Sequence, residues 1–112
     1  MKSLSIGPIK LANPFILAPM VDVTDLSYRQ LCRQAGASLS FVEMVYVNSL
    51  SNGNDFTKRL IRKYDGEKPV GIQVAGSSVE EFKKALPVLK TFDLVDINCG
   101  CPSSRIVGSE AG

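Results

Sequence analysis

Four short apolar runs recur along the chain, at residues 15–18, 39–42, 70–74 and 94–97. Each run has the length of a β-strand. The first and third runs are almost unbroken, which is the pattern expected of a parallel strand that is buried on both faces. The pattern therefore predicts four strands, separated by segments that are long enough to hold helices.

The segment after the first run has the signals of a helix. Thr24 can serve as its N-cap, and Leu26, Leu31 and Cys32 are spaced to point inward. Gly36 lies where a residue in the left-handed conformation would end the helix. We therefore predict a helix between the first two strands.

A capping box predicts where a later helix begins. Ser78 is followed three positions later by Glu81, a spacing at which the two residues can satisfy each other's backbone N–H groups. The predicted helix continues through Phe82, Ala85 and Leu89. Residues 54–64 are a further candidate helix, and four side chains could share one of its faces: Phe56, Leu60, Ile61 and Tyr64.

The alternation of strands and helices predicts consecutive βαβ units, whose right-handed crossovers build a parallel sheet. A barrel and an open doubly wound sheet both have this order. The open fold that binds nucleotides has a Gly-rich turn after its first strand, whereas residues 19–24 read Pro-Met-Val-Asp-Val-Thr. We therefore predict an α/β fold of the TIM (β/α)8 barrel type. A complete barrel takes about 250 residues, so residues 1–112 are expected to be its incomplete N-terminal part, with about four strands.

Composition and charge narrow the class of protein without indicating a function. The chain is 45% hydrophobic and 21% charged, as in soluble globular proteins. The net charge of +2 does not by itself indicate a nucleic-acid binder. A local basic cluster of Lys58, Arg59, Arg62 and Lys63 is interpreted as a solvated helix face. No stretch has the length and apolarity of a membrane span or a secretory signal, so a cytoplasmic location is expected.

The cysteine content argues against a disulfide scaffold and against a metal site. Cys32, Cys99 and Cys101 are an odd number of thiols, and at least one of them must remain unpaired. Zinc sites usually need four ligands at recognisable spacing, and the chain has no histidine and no second cysteine pair. We therefore predict no bound metal.

Polar residues follow several of the predicted strands. In barrels of this type the reacting groups lie at the C-terminal ends of the strands. That rule selects Pro19 and Met20, Glu43 and Met44, Gln73, and residues 98–102. A buried amide without a partner costs about 1–3 kcal/mol, so Gln73 either binds a ligand or bonds neighbouring backbone. Glu43 is interpreted as a supporting residue or as half of a structural ion pair, with no partner identified from sequence.

Cys101 is the candidate for chemistry. It lies on the loop just past the fourth run, between Gly100 and Pro102, which shape the backbone. A thiol in that place can project into the barrel mouth as a proton donor or a nucleophile. Cys99 and Cys32 are interpreted instead as small apolar residues that pack at a helix.

These residues, in this order, resemble a known family. The resemblance is carried by residues 17–21 (LAPMV), 23–25 (VTD), Tyr28 and Arg29, Gly36 and Ala37, and residues 43–45 (EMV), 73–76 (QVAG) and 96–102 (DINCGCP). Together they resemble the tRNA-dihydrouridine synthases along nearly the whole chain. Two motifs are specific for the family when they occur together: A-P-M followed by T-D and R, and D-I-N-x-G-C-P. Either motif alone would be weak evidence for the resemblance.

The resemblance implies a fold and a reaction. Members of that family are FMN-containing TIM barrels with a smaller helical domain. They reduce particular uridines in tRNA to 5,6-dihydrouridine with electrons from NADPH. The uridine must leave its stack to reach the flavin, which a deep barrel mouth allows.

The resemblance also implies roles for individual residues. Backbone contacts to the flavin are expected from three consecutive residues, Pro19, Met20 and Val21. Gln73 would hydrogen-bond the edge of the isoalloxazine ring, and Asn98 would lie near flavin and substrate. Cys101 matches the general acid that gives a proton to C5 of the uracil, while hydride from the reduced flavin reaches C6.

Two other interpretations remain open. One is an FMN-barrel oxidoreductase of the dihydroorotate-dehydrogenase type, which has a similar Asn-Pro-Phe segment where the chain leads into the first strand, here residues 13–15. Residues 43–45 and 100–102 argue against this interpretation. The other is a truncated fragment without activity, since the later flavin contacts, the phosphate-binding loops and the helical domain of the family have no counterpart in residues 1–112.

Overall fold

The computed structural model describes residues 3–101 and residue 108. The elements are β1 (Leu4–Ile6), β2 (Ile9–Leu11), β3 (Ile16–Leu17), α1 (Leu26–Gln34), β4 (Leu39–Tyr46), α2 (Val47–Asn52), α3 (Asp55–Leu60), β5 (Val70–Ala75), α4 (Val79–Leu89) and β6 (Leu94–Ile97). Within the described ranges, no helix is both long enough and apolar enough to cross a membrane.

Strands β3 to β6 form one parallel sheet. They lie in the sheet in the order in which they occur along the chain, and each pairs in parallel with the next. Helices connect them, which is the geometry of consecutive βαβ units. The prediction of an α/β fold with a parallel sheet is therefore confirmed.

The predicted strands differ in how well they match. β5 and β6 coincide with the predicted runs almost residue for residue, and β4 continues past residue 42 to Tyr46. The prediction that the first run is buried on both faces is wrong, because β3 has only two residues and Phe15 is 70% exposed. β3 pairs with β4 on one side and lies at the edge of the described sheet.

One face of the sheet packs against helices. Val42, Ile72 and Val74 point to this face and are fully buried, and they cluster with the buried residues Ala85 and Leu89 of α4. Because side chains alternate along a strand, the residues between them point to the other face. This core is the largest apolar cluster of the described structure.

A β-hairpin that the sequence pattern did not reveal covers the start of the other face. β1 and β2 pair as antiparallel strands, and Leu11 packs against Leu39 and Phe41 of β4. Three-residue strands are too short to show a clear alternation of apolar and polar positions. Gly71 belongs to this face, since a Cβ there would lie 2.5 Å from the Phe41 ring.

Helix α1 begins one residue later than predicted. Its N-cap is Asp25, whose side chain accepts a hydrogen bond from the Tyr28 N–H at 2.8 Å. Thr24 is instead buried before the helix. The prediction that Leu31 points inward is wrong, since it is 63% exposed. The side of α1 that meets the protein interior is the one that carries Arg29.

A buried ion pair anchors that side of α1. The Arg29 Nε atom lies 2.7 Å from Glu67 Oε1, and both side chains are fully buried. The same guanidinium donates to Glu67 Oε2 at 3.2 Å, to the Thr24 carbonyl at 3.0 Å and to the Arg62 carbonyl at 2.8 Å. Arg29 therefore connects α1 to the segment that precedes β5 and to the loop that follows β3.

The later helices confirm some predictions and correct others. Ser78 is the N-cap of α4 as predicted, but its side chain makes no capping hydrogen bond. α3 covers only part of the predicted helix at residues 54–64. The prediction that Phe56 shares the inner face is wrong, since it is 63% exposed and Thr57 is the buried residue of α3.

The basic cluster is only partly helical. Lys58 and Arg59 are exposed in the last turn of α3. Arg62 follows the end of that helix, and the Lys63 ammonium lies 4.6 Å from the centroid of the Phe92 ring. The predicted helix face is therefore limited to the first two members of the cluster.

Candidate active site

The carboxyl ends of the parallel strands meet at one edge of the sheet, where the predicted site residues lie. A β-bulge in β4 distinguishes this edge. Val42 pairs with Ile72 and Val45 pairs with Val74, so that two residues of β4, Glu43 and Met44, lie opposite the single residue Gln73 of β5. Bulges of this kind re-aim side chains and are common next to active sites.

The loop that follows β3 is tied together by its own hydrogen bonds. The Thr24 hydroxyl accepts from the Met20 N–H and donates to the Met20 carbonyl, both at 3.1 Å. The Met20 carbonyl also accepts from the N–H groups of Val23 and Thr24. Residues 20–24 therefore form a closed turn, and Thr24 at its base is fully buried.

Glu43 connects this turn to the sheet. Its Oε2 atom accepts a hydrogen bond from the Asp22 N–H at 3.0 Å, and the residue is 5% exposed. Burial raises the pKa of the Glu43 carboxyl; the Asp22 N–H opposes this rise, whereas the negative charges of Asp22 and Asp25 add to it. The prediction of an ion pair is not what the structure shows, because the partner of Glu43 is a backbone N–H.

Gln73 is held by a neighbour on the next strand. Its Nε2 atom donates to Asp96 Oδ2 at 2.7 Å, and the two residues are paired in the register of β5 and β6. The hydrogen bond fixes which end of the amide is the donor toward Asp96 and leaves Gln73 Oε1 as the acceptor end. The partner of Gln73 is thus a side chain and not the backbone.

Asn98 and Cys101 follow β6. Asn98 Nδ2 lies 3.4 Å from the Met44 sulfur, and Asn98 Oδ1 accepts from the Gly100 N–H at 3.1 Å. Asn98 thereby shapes the loop that leads to Cys101. The prediction that Cys99 is packed against a helix is wrong, since it is exposed and its thiol lies 3.5 Å from the Ile97 carbonyl.

A cavity of about 430 Å³ lies at this edge of the sheet. Its walls include Val21 from the loop after β3, Met44 from the bulge, Cys101 from the loop after β6, and Phe56 of α3. The size falls within the range of small-molecule sites. The structure therefore brings together two residues predicted from distant segments, Val21 and Cys101.

The other predicted site residues are not part of the cavity wall. Pro19 is half-buried and Met20 is 38% exposed in the same loop as Val21. Asn98 contacts Met44, which lines the cavity. Gln73 lies on the next strand, opposite the bulge. Pro102, the last residue of the predicted segment, lies outside the described residues.

The polar side chains at this edge carry thiol, amide and carboxylate groups. All three cysteines are free thiols. Across residues 3–101 and 108, no three His, Cys, Asp or Glu side chains come together as a metal site would require.

Two residues with a part in the site were not predicted from the sequence to belong to it. Asp96 orients the Gln73 amide, and Thr24 closes the turn at residues 20–24. Asp96 interrupts an otherwise apolar strand, Leu-Val-Asp-Ile. That interruption, placed in register with Gln73, is the signal that could have identified it.

Comparison with known proteins gives one family. The family model described as dihydrouridine synthase matches residues 16–112. A protein from Pseudomonas syringae pv. tomato named tRNA-dihydrouridine synthase B is 40% identical over 115 residues, covering 100% of this chain and 34% of the relative. The protein of the same name from Pseudomonas aeruginosa is 38% identical, with the same coverage.

A plant protein is also similar to the chain. An Arabidopsis thaliana protein named tRNA-dihydrouridine(47) synthase [NAD(P)(+)]-like is 31% identical over 107 residues, covering 93% of this chain and 16% of the relative. The chain thus spans about a third of the length of the bacterial relatives that it matches.

Proposed function

We propose, since the chain belongs to the dihydrouridine synthase family, that it is the first part of a flavin-dependent barrel that reduces uridines in tRNA to 5,6-dihydrouridine. The proposal includes a longer protein, called the full-length protein below, in which residues 1–112 are followed by the rest of the barrel and a helical domain. The activity, the cofactors and the substrate belong to that protein.

The observation that carries the proposal is the position of Cys101. Its side chain lines the same cavity as Val21, although the two residues lie on loops that follow the first and last strands of the described sheet. In parallel α/β folds, reacting groups gather at the carboxyl ends of strands. A thiol and the loop expected to contact the flavin thus face a common space, as the reaction requires.

The residues present fit an FMN ring at this edge. Residues 19–21 would hold it through their backbone, and the free acceptor end of the Gln73 amide would bond the edge of the ring. Gln73 is available for this role because Asp96 already takes the donor end of its amide. When bound, FMN supplies the hydride, which NADPH first delivers to it.

Cys101 would act on the opposite side of the uracil C5–C6 bond. Hydride addition at C6 leaves negative charge on C5 and the adjacent carbonyl, and the thiol gives its proton to C5. The thiolate then regains a proton from water. A thiol suits this role because it ordinarily keeps its proton at neutral pH.

Asn98 supports the same geometry. Its Oδ1 atom bonds the Gly100 N–H, so the backbone that carries Cys101 is fixed at its start. Its Nδ2 atom contacts the sulfur of Met44, a residue of the cavity wall. We infer that Asn98 orders the loop and lies next to the bound uridine. A cytoplasmic location belongs to the same proposal, because tRNA is the substrate.

The dihydroorotate-dehydrogenase type of enzyme is not favoured, because the family match extends over residues 16–112. The test begins with the nucleotide sequence beyond the codon for Gly112, which is expected to stay open for a further couple of hundred codons. The purified full-length protein should be yellow and should form dihydrouridine in unmodified tRNA when NADPH is added. Oxidation of dihydroorotate without any product in tRNA would contradict the proposal.

A further inference from the structure

Glu43 makes a long-range contact that the family resemblance does not explain. It lies in the bulge of β4, yet its Oε2 atom bonds the N–H of Asp22, 21 residues away in the loop after β3. The contact joins the second strand of the sheet to the loop of the first strand. That loop carries Val21, which lines the cavity with Cys101.

The backbone at the far end of this contact has an unusual conformation. Asp22 has a φ of 63°, and it is the one non-glycine residue with positive φ among those that the structure describes. This left-handed region is unfavourable for residues with a side chain, although Asp tolerates it better than most. A hydrogen bond to this backbone from outside the loop would help to offset that cost.

The hydrogen bonds inside the loop do not reach its tip. They join Met20 to Val23 and Thr24. Asp22 N–H, at the tip, has Glu43 as its hydrogen-bond partner within the described ranges. Glu43 is therefore the residue placed to hold the left-handed conformation.

The environment of Glu43 also indicates a dedicated role. The residue is 5% exposed, and neither salt bridge formed by the described residues involves it. A buried carboxylate without an ion-pair partner is costly to the fold, although the positive charge of Arg29 lowers this cost for Glu43. Burial raises the pKa of Glu43 because it disfavours the charged carboxylate. Residues that are costly to stability and lie at a site are often kept for function.

We propose that Glu43 is a positioning residue that holds the tip of the loop at residues 19–24 in the shape that presents Pro19, Met20 and Val21 to the flavin. The inference rests on the proposed function, since it assumes that this loop contacts FMN. Glu43 acts through the Asp22 N–H and not by contact with the reacting atoms. For this role, residue 43 must carry an acceptor oxygen on a side chain as long as that of Glu.

Two conservative substitutions in the full-length protein separate the effect of side-chain length at residue 43 from the effect of its charge. Glu43→Gln keeps the length and an acceptor oxygen but removes the charge. Glu43→Asp keeps the charge but shortens the side chain by one methylene group. Glu80→Ala, on the exposed side of α4, is the control for an acidic residue away from the site.

Two readouts are measured for each protein. One is FMN affinity, from titration of the flavin-free protein by quenching of flavin fluorescence. The other is the amide hydrogen exchange rate of residues 20–24 in the flavin-free protein, which does not depend on activity. Melting temperatures of the flavin-free variants show whether any loss of affinity exceeds a general loss of stability.

Glu43→Asp is expected to weaken FMN binding by roughly tenfold or more and to speed exchange at Asp22, the effect of losing a hydrogen bond to a charged group. Glu43→Gln and Glu80→Ala should stay within about threefold of the wild type. Asp22→Gly added to Glu43→Asp should recover part of the affinity, because glycine adopts positive φ without strain.

Other outcomes would overturn the inference. Equal affinities for all variants would show that the loop does not need Glu43. Loss in Glu43→Gln, with or without loss in Glu43→Asp, would show that the charge matters and not the reach of the acceptor. If the wild-type full-length protein does not bind FMN, the proposed function itself fails, and the exchange rates at residues 20–24 still decide whether Glu43 holds the loop.

Discussion

Loss of the Arg29 guanidinium should be the most destabilising single change in the described part of the chain. Arg29 makes four hydrogen bonds, two of them to Glu67, and both side chains are fully buried. Arg29→Met would leave the Glu67 carboxylate buried without its cation. Its remaining contacts, the Ser40 hydroxyl and the Tyr64 N–H, both lie at 3.4 Å and are weak.

The magnitude follows from that arrangement. Breaking a buried ion pair by removing one partner costs about 3–5 kcal/mol. Since about 1.4 kcal/mol corresponds to a factor of ten, the unfolding equilibrium constant should rise by roughly a hundredfold to several thousandfold. Arg29→Lys should recover little of this stability, because an ammonium cannot reproduce the bidentate fork.

Urea unfolding of the full-length protein, followed by far-ultraviolet circular dichroism, measures the change. Arg33→Met is the matched control on the same helix. Arg33 donates to two backbone carbonyls at a more exposed position, so its loss should cost about 1 kcal/mol. The double variant Arg29→Met with Glu67→Leu should regain most of the lost stability. A loss below about 1 kcal/mol for Arg29→Met would refute the reasoning.

Three further predictions concern the site and the chain. Gln73→Ala should weaken FMN binding to the full-length protein by about 1–3 kcal/mol, the effect of an unsatisfied polar partner; unchanged affinity in a fluorescence titration would contradict it. Because the pKa of Glu43 is raised above its ordinary value of 4.5, the folded state keeps its proton to higher pH than the unfolded chain. Stability should therefore fall as pH rises above that value, and Glu43→Gln should lack this component in urea unfolding from pH 4 to 7; parallel pH profiles would contradict it. Residues 1–112 alone should not hold FMN as a monomer, because β3 and β6 are sheet edges and Ile97 is 55% exposed; a yellow monomeric species after gel filtration would contradict this.

Elements with a local signal could be predicted from the sequence. β5 is an apolar run interrupted only by Gln73, and its other residues are buried on both faces. α4 begins after Ser78 and buries Ala85 and Leu89, as its spacing predicts. The rule that chemistry lies at strand ends selected Met44 and Cys101, which line one cavity, whereas Val21 was expected at the site only from the family resemblance. In each case a few neighbouring residues contain the information.

Features that depend on distant partners could not be predicted in the same way. Arg29 and Glu67 are 38 residues apart, and nothing near Arg29 in the sequence indicates that it is buried. The bulge that places Glu43 and Met44 opposite Gln73 depends on the register of two strands. Leu31 was expected inside because its spacing is helical, but the tertiary contacts of α1 select the side that carries Arg29.

The most direct test of the proposed reaction compares two neighbouring cysteines in the full-length protein. Cys101 lines the cavity, whereas Cys99 is exposed two residues before it. Dihydrouridine is quantified by mass spectrometry in tRNA treated with each purified variant and NADPH. Cys101→Ala should lower its formation on the order of a hundredfold or more, with the absorbance of the bound flavin unchanged, and Cys99→Ala should leave both close to the wild type. Wild-type dihydrouridine formation by Cys101→Ala would contradict the assignment of Cys101 as the proton donor.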